Sequence, residues 1–77
     1  MRVGTVLHLS KSSGNLILKV EGDVKIGDNI LNAKGKKIGT VFDLFGPILS
    51  PFISVKPRIE APERLRGEAL FLGKKKR

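Results

Sequence analysis

An all-β fold, a small closed barrel of six strands, is what this chain predicts, and three observations carry the prediction. Short apolar runs follow one another at regular spacing, each a few residues long. Gly, Pro, Asn and Asp clusters punctuate them. No segment keeps an apolar period of 3.6 residues long enough to form a helix face. A chain of 77 residues is one domain with a small core. Closing the sheet on itself removes edges that would otherwise pair with other chains.

The first strand is read over Arg2–Ser10. Strict alternation there sets Val3, Thr5, Leu7 and Leu9 on one face and Gly4, Val6, His8 and Ser10 on the other. The cluster Lys11-Ser-Ser-Gly-Asn15 is a turn. Leu16–Glu21 is the second strand. In the loop that follows, Val24 and Ile26 are expected to point inward. Asn29–Leu31 is a short third strand, and Asn32-Ala-Lys-Gly-Lys36 turns the chain into a hairpin, with Gly35 supplying a positive φ. Lys37–Phe45 and Phe52–Lys56 are the fourth and fifth strands. Pro57–Pro62 interrupts the pattern, and Gly67–Leu72 is the sixth strand. The barrel is expected to occupy residues 1–73, with a basic tail over 74–77 and no internal repeat.

Composition narrows the function. The net charge is +8, from 15 Lys and Arg against 7 Asp and Glu. Such an excess favours polyanions, nucleic acid above all. Half of it lies in Lys74, Lys75, Lys76 and Arg77, which are candidate RNA contacts or simply a solvated tail. Phe42, Phe45, Phe52 and Phe71 are the only aromatic residues, so a base-stacking platform would rest on Phe alone. The start of the chain leads directly into strand-like alternation, and no apolar run reaches the ~20 residues of a membrane-spanning helix. The expectation is a soluble intracellular protein.

The inventory argues against catalysis and cofactors. There is no Cys, and His8 is the only His, so neither a thiol nucleophile nor a His-based metal site can be assembled. His8 is read as structural or surface. Asp23 and Asp28 sit in a Gly-punctuated loop where Asp favours turns. Asp43 is a lone carboxylate in the apolar run Val41–Phe45; it either faces out or accepts hydrogen bonds from the following turn, and the second is preferred, because an unpaired buried carboxylate is costly.

Gly39 to Pro57 is the most informative stretch. Both faces of Lys37–Phe45 are apolar: Ile38, Thr40, Phe42 and Leu44 on one, Gly39, Val41, Asp43 and Phe45 on the other. If Ile53 and Val55 fill the core, Phe52 points out with Ser54 and Lys56. Phe42, Ile48, Leu49 and Phe52 then form one exposed patch, the usual mark of a partner. A bulge near Asp43 or Gly46 would instead turn some of them inward. Phe45 is expected inward, and Gly46, Pro47 and Pro51 stiffen the turn, which lowers the entropy lost on binding.

At this hairpin the chain resembles the GAR-type subunit of H/ACA ribonucleoproteins in its short archaeal form. The resemblance rests on Gly39-x-Val41-x-Asp43-x-Phe45-Gly46-Pro47 and Pro51-Phe52-x-x-Val55-Lys56-Pro57, with Gly4-x-Val6 and Gly67-Glu68-x-Leu70 as weaker support. It covers nearly the whole chain. It implies a six-stranded barrel of the translation-factor/reductase-isomerase kind, without catalytic activity, that docks on a dyskerin-type pseudouridine synthase. A guide RNA, a kink-turn-binding protein and a zinc-ribbon protein complete the complex. The implied role is loading and release of substrate rRNA through a mobile loop of the synthase, without a grip on the guide RNA. The implied location is cytoplasmic in an archaeal cell, or nucleolar in a eukaryote. The Gly/Arg-rich tails of eukaryotic forms are absent, and Phe42 stands where a more polar residue is expected. Charge alone supports a different reading, a stand-alone RNA-binding barrel of ribosomal or ribonuclease P type.

Overall fold

In the computed structural model, which describes residues 2–73, six strands close into a barrel. They are β1 (Arg2–Leu9), β2 (Leu16–Lys19), β3 (Asn29–Leu31), β4 (Lys37–Phe45), β5 (Phe52–Pro57) and β6 (Ala69–Leu72). The order around the barrel is β1-β2-β5-β4-β3-β6, with every neighbouring pair antiparallel. The strands lie where the apolar runs place them, and several ends differ: β1 and β2 stop earlier, β5 runs one residue further, and β6 starts at Ala69. A single 3-10 turn, Pro62–Leu65, fills part of the Pro-punctuated link before β6. Gly35, at φ 84°, makes the β3–β4 turn.

Every strand contributes to the core. Leu16 and Leu18 of β2, and Ile53 and Val55 of β5, alternate with period two and are fully buried. Val3 and Val6 of β1, and Ile38 and Val41 of β4, are three residues apart, yet all four are buried. Bulges explain the spacing. The β1–β6 register shifts between Arg2 and Gly4, so Val3 is the extra residue. The β3–β4 pairing passes from Gly39 to Lys37, so Ile38 is the extra residue. Each bulge lets two apolar residues of unlike parity face the core. Strict alternation therefore misassigns β1: Val3 and Val6 are inside, while Leu7 is exposed. Of the two loop residues expected inward, Val24 is buried and Ile26 is 63% exposed.

The barrel is an internal duplication, contrary to the absence of a repeat expected from the sequence. β1-β2-β3 and β4-β5-β6 are equivalent halves. Val6 pairs with Leu18, His8 with Ile17 and Leu9 with Leu16; Val41 pairs with Val55, Asp43 with Ser54 and Leu44 with Ile53. Both hairpins carry a bulge at the same place, Leu7 in one and Phe42 in the other. Gly4 lies opposite Leu70 and Gly39 opposite Ile30. The loops repeat as well: Val6 N–H donates to Glu68 O at 3.0 Å and Val41 N–H to Asp28 O at 2.9 Å, while Gly67 and Gly27 N–H donate to Val6 O and Val41 O, both at 2.9 Å. In sequence the repeat is Val3-Gly-Thr-Val6 against Ile38-Gly-Thr-Val41, and Gly27-Asp-Asn-Ile-Leu31 against Gly67-Glu-Ala-Leu-Phe71. The spacing between equivalent residues changes along the chain, because the two hairpin turns differ in length and so do the β2–β3 and β5–β6 links, and that hides the repeat from a fixed-period search.

Candidate docking hairpin

The duplication gives each half a hairpin, and the two differ in chemistry. In the first half, Ser10 and Asn15 bracket the turn, with Ser10 N–H donating to Asn15 O at 2.8 Å. In the second half the equivalent residues are Phe45 and Phe52, and their rings stack with centroids 5.9 Å apart and an 18° interplanar angle. Lys11-Ser-Ser-Gly14 joins β1 to β2; the longer Gly46-Pro-Ile-Leu-Ser-Pro51 joins β4 to β5. The fold accommodates a short polar turn at this place. The barrel topology by itself therefore does not demand an apolar turn.

Gly46, at φ 97°, turns the chain out of β4, and Ser50 N–H closes the turn on Pro47 O at 3.1 Å. Pro51 O accepts from Val20 N–H at 3.0 Å, anchoring the far end of the turn to the barrel. Between these anchors Ile48 and Leu49 are 95% and 97% exposed. Ile48 and Leu49 thus form an exposed apolar tip on a braced turn.

The site residues fall into three places. Ile48 and Leu49 form the tip. Phe45 and Phe52 line an open groove of about 1000 Å³ together with Ile17, His8, Glu63 and Arg66. Phe42 is the extra residue of the β4 bulge; it is 61% exposed and is not part of the groove lining. The bulge thus leaves Phe42 outside rather than turning it inward. Two expectations change. Phe45 is exposed rather than inward, because β4 continues past the end of the core and its last turn-facing residue stacks on Phe52. Phe52 is half-buried rather than fully outward, because Phe45 covers one ring face.

Asp43 faces out. Its Oδ1 accepts from the next amide, Leu44 N–H, at 2.8 Å, so it does not organise the turn. Ser54, expected outside with Phe52, is buried, and its Oγ accepts from Asn15 Nδ2 at 3.0 Å, just before the neighbouring strand β2. Ile17 and His8 line this groove, and residue-by-residue reading of the sequence missed them. Their placement depends on cross-strand register, and the signal that could have revealed it was the repeat itself. Lys74, Lys75, Lys76 and Arg77 lie outside the described residues. Among the described residues no group of His, Cys, Asp and Glu is placed to hold a metal ion, and no helix is long and apolar enough to cross a membrane.

No family model matches the chain. It is 36% identical over 75 residues to an uncharacterized protein of Methanothermobacter thermautotrophicus, an alignment covering 92% of this chain and 80% of that protein. It is 40% identical over 52 residues to an uncharacterized protein of Methanocaldococcus jannaschii, covering 68% of this chain and 62% of the relative. Among solved structures, the Gar1 domain of NAf1 superposes with a TM-score of 0.74 over 94% of this chain and 81% of that one, at 20% identity. The fold is therefore Gar1-like.

Proposed function

We propose that this chain, which belongs to one protein family with its Methanothermobacter thermautotrophicus relative, is a non-catalytic subunit of an RNA-guided pseudouridine synthase of the H/ACA type. Its work is to dock on the catalytic domain of a dyskerin-type synthase and to assist loading and release of substrate rRNA. Guide RNA, a kink-turn-binding protein and a zinc-ribbon protein belong to the same complex and need not touch it. The observation that carries this reading is the contrast between the two equivalent hairpins: one polar, the other tipped by Ile48 and Leu49 and backed by stacked Phe45 and Phe52. The Gar1-like fold supports the class of complex. The motif runs around Gly39–Pro47 and Pro51–Pro57 support the type of partner.

The energetics fit a protein partner. Burying an Ile or Leu side chain contributes about 1.5–3 kcal/mol, and a braced turn loses little entropy on binding. The direct experiment mixes the purified chain with a purified archaeal dyskerin-type synthase in the absence of RNA. Co-elution from a sizing column is expected, and it should vanish with the double substitution Ile48→Asp and Leu49→Asp. If the unaltered proteins elute separately, the reading is wrong.

A further inference from the structure

The duplication also supplies an internal control for surface charge. In the first half Arg2 Nε lies 3.4 Å from Glu21 Oε1, an exposed pair of opposite charges. Glu21 is held there by its amide, which donates to Val3 O at 2.7 Å. The equivalent bond in the second half runs from Arg58 N–H to Ile38 O at 2.8 Å. Arg58 therefore stands in the place of Glu21, and Lys37 in the place of Arg2. A balanced pair in one half has become two cations in the other.

More cations extend this site. Lys56 lies opposite Thr40 on the neighbouring strand. Arg58 lines two adjoining shallow grooves, one shared with Lys36 and Lys37 and the other with Thr40 and Lys56, so the four basic residues form one strip. Glu60 is the acidic residue along it. Arg2–Glu21 is the ion pair found among the described residues, and none of the four cations of the strip takes part in it. The fold has a neutral solution for these positions, as the first half shows. Clustering like charges instead raises the local positive potential and favours an external anion.

We propose that Lys36, Lys37, Lys56 and Arg58 bind the phosphate backbone of double-stranded RNA. No Phe lines either groove, so the strip offers no stacking platform for splayed bases. Cations spread over two strands and a turn suit phosphates repeated along a duplex, read by charge and shape. The strip lies where β4 begins and β5 ends, away from the Gly46–Pro51 turn, so RNA and a protein partner can be held together. The choice of RNA among polyanions rests on the proposed function; the strip itself does not.

The test is fluorescence anisotropy of the full chain with a labelled RNA duplex of about 16 base pairs over a range of salt concentrations. Arg58→Glu rebuilds beside Lys37 the arrangement of Arg2 and Glu21, so the fold is kept, and circular dichroism checks that. Lys25→Glu makes the same change in net charge at an exposed residue that lines neither groove. Arg58→Glu should lower the slope of log affinity against log salt by about two, one cation being removed and Lys37 occupied, while Lys25→Glu leaves it nearly unchanged. Equal losses from the two variants, an undiminished Arg58→Glu, or equal affinity for a DNA duplex of the same sequence overturns the proposal. Should Arg58→Glu misfold, the pair Lys56→Ala and Arg58→Ala replaces it, with Lys11→Ala and Lys25→Ala as its control. The synthase experiment contains no RNA and reads the other end of the hairpin, so either result can fail without the other.

Discussion

Two glycines show how tightly single positions are set. A Cβ on Gly4 would run into the carbonyl of Lys19, and a Cβ on Gly39 into the carbonyl of Lys56. In each case the obstacle is backbone of the paired strand, which cannot swing aside. Gly4→Ala and Gly39→Ala are therefore expected to destabilise the barrel by at least about 1–3 kcal/mol each, and by similar amounts, since the sites are equivalent. Urea unfolding followed by circular dichroism measures both; a negligible shift in either midpoint would refute the steric argument. Ala61 presents the opposite case. It sits at φ 56°, ψ 54°, a left-handed conformation costly for a residue with a Cβ. Ala61→Gly should raise stability by up to about 1 kcal/mol, read in the same experiment, and a lowered midpoint would show that the strain is not there.

At the scale of the element, the hairpins separate what folding needs from what binding needs. Residues 46–51 can be exchanged for the Lys-Ser-Ser-Gly turn of the first half, with Phe45→Ser and Phe52→Asn to match Ser10 and Asn15. The chimera should fold, with a melting temperature within a few degrees of the parent, and should lose the synthase. A chimera that still binds would move the docking surface elsewhere on the barrel. The positions of the six strands were legible in the sequence, because apolar runs and Gly or Pro punctuation mark them locally. Which residues face the core in β1 and β4 was not, because single-residue bulges at Val3 and Ile38 reverse the parity and leave no compositional mark. The exposed tip at Ile48 and Leu49 was legible as surplus apolar surface. The groove wall from Ile17 and His8 was not, since it depends on which strands become neighbours across the barrel.

The whole molecule is two halves that complete each other. β3 pairs with β4 and β6, while β6 pairs with β1 and β3, so each half's third strand is sheeted against the other half. Among the described residues, eleven buried apolar side chains from both halves make one core. At roughly 0.05–0.15 kcal/mol per residue, total stability for a chain of this length is about 4–12 kcal/mol, too little for either half to persist with its edges open. Cutting the chain at the exposed turn around Gly35 tests this interdependence. Each fragment alone should lack the circular dichroism of a folded sheet. Mixed in equal amounts, the fragments should recover it, and the complex should melt in one transition that shifts with concentration. A fragment that folds by itself would mean that the repeat is two small domains side by side. Recovery only on mixing would mean that neither half closes a barrel alone, because β2 and β3 need β5 and β4, and β6 needs β1.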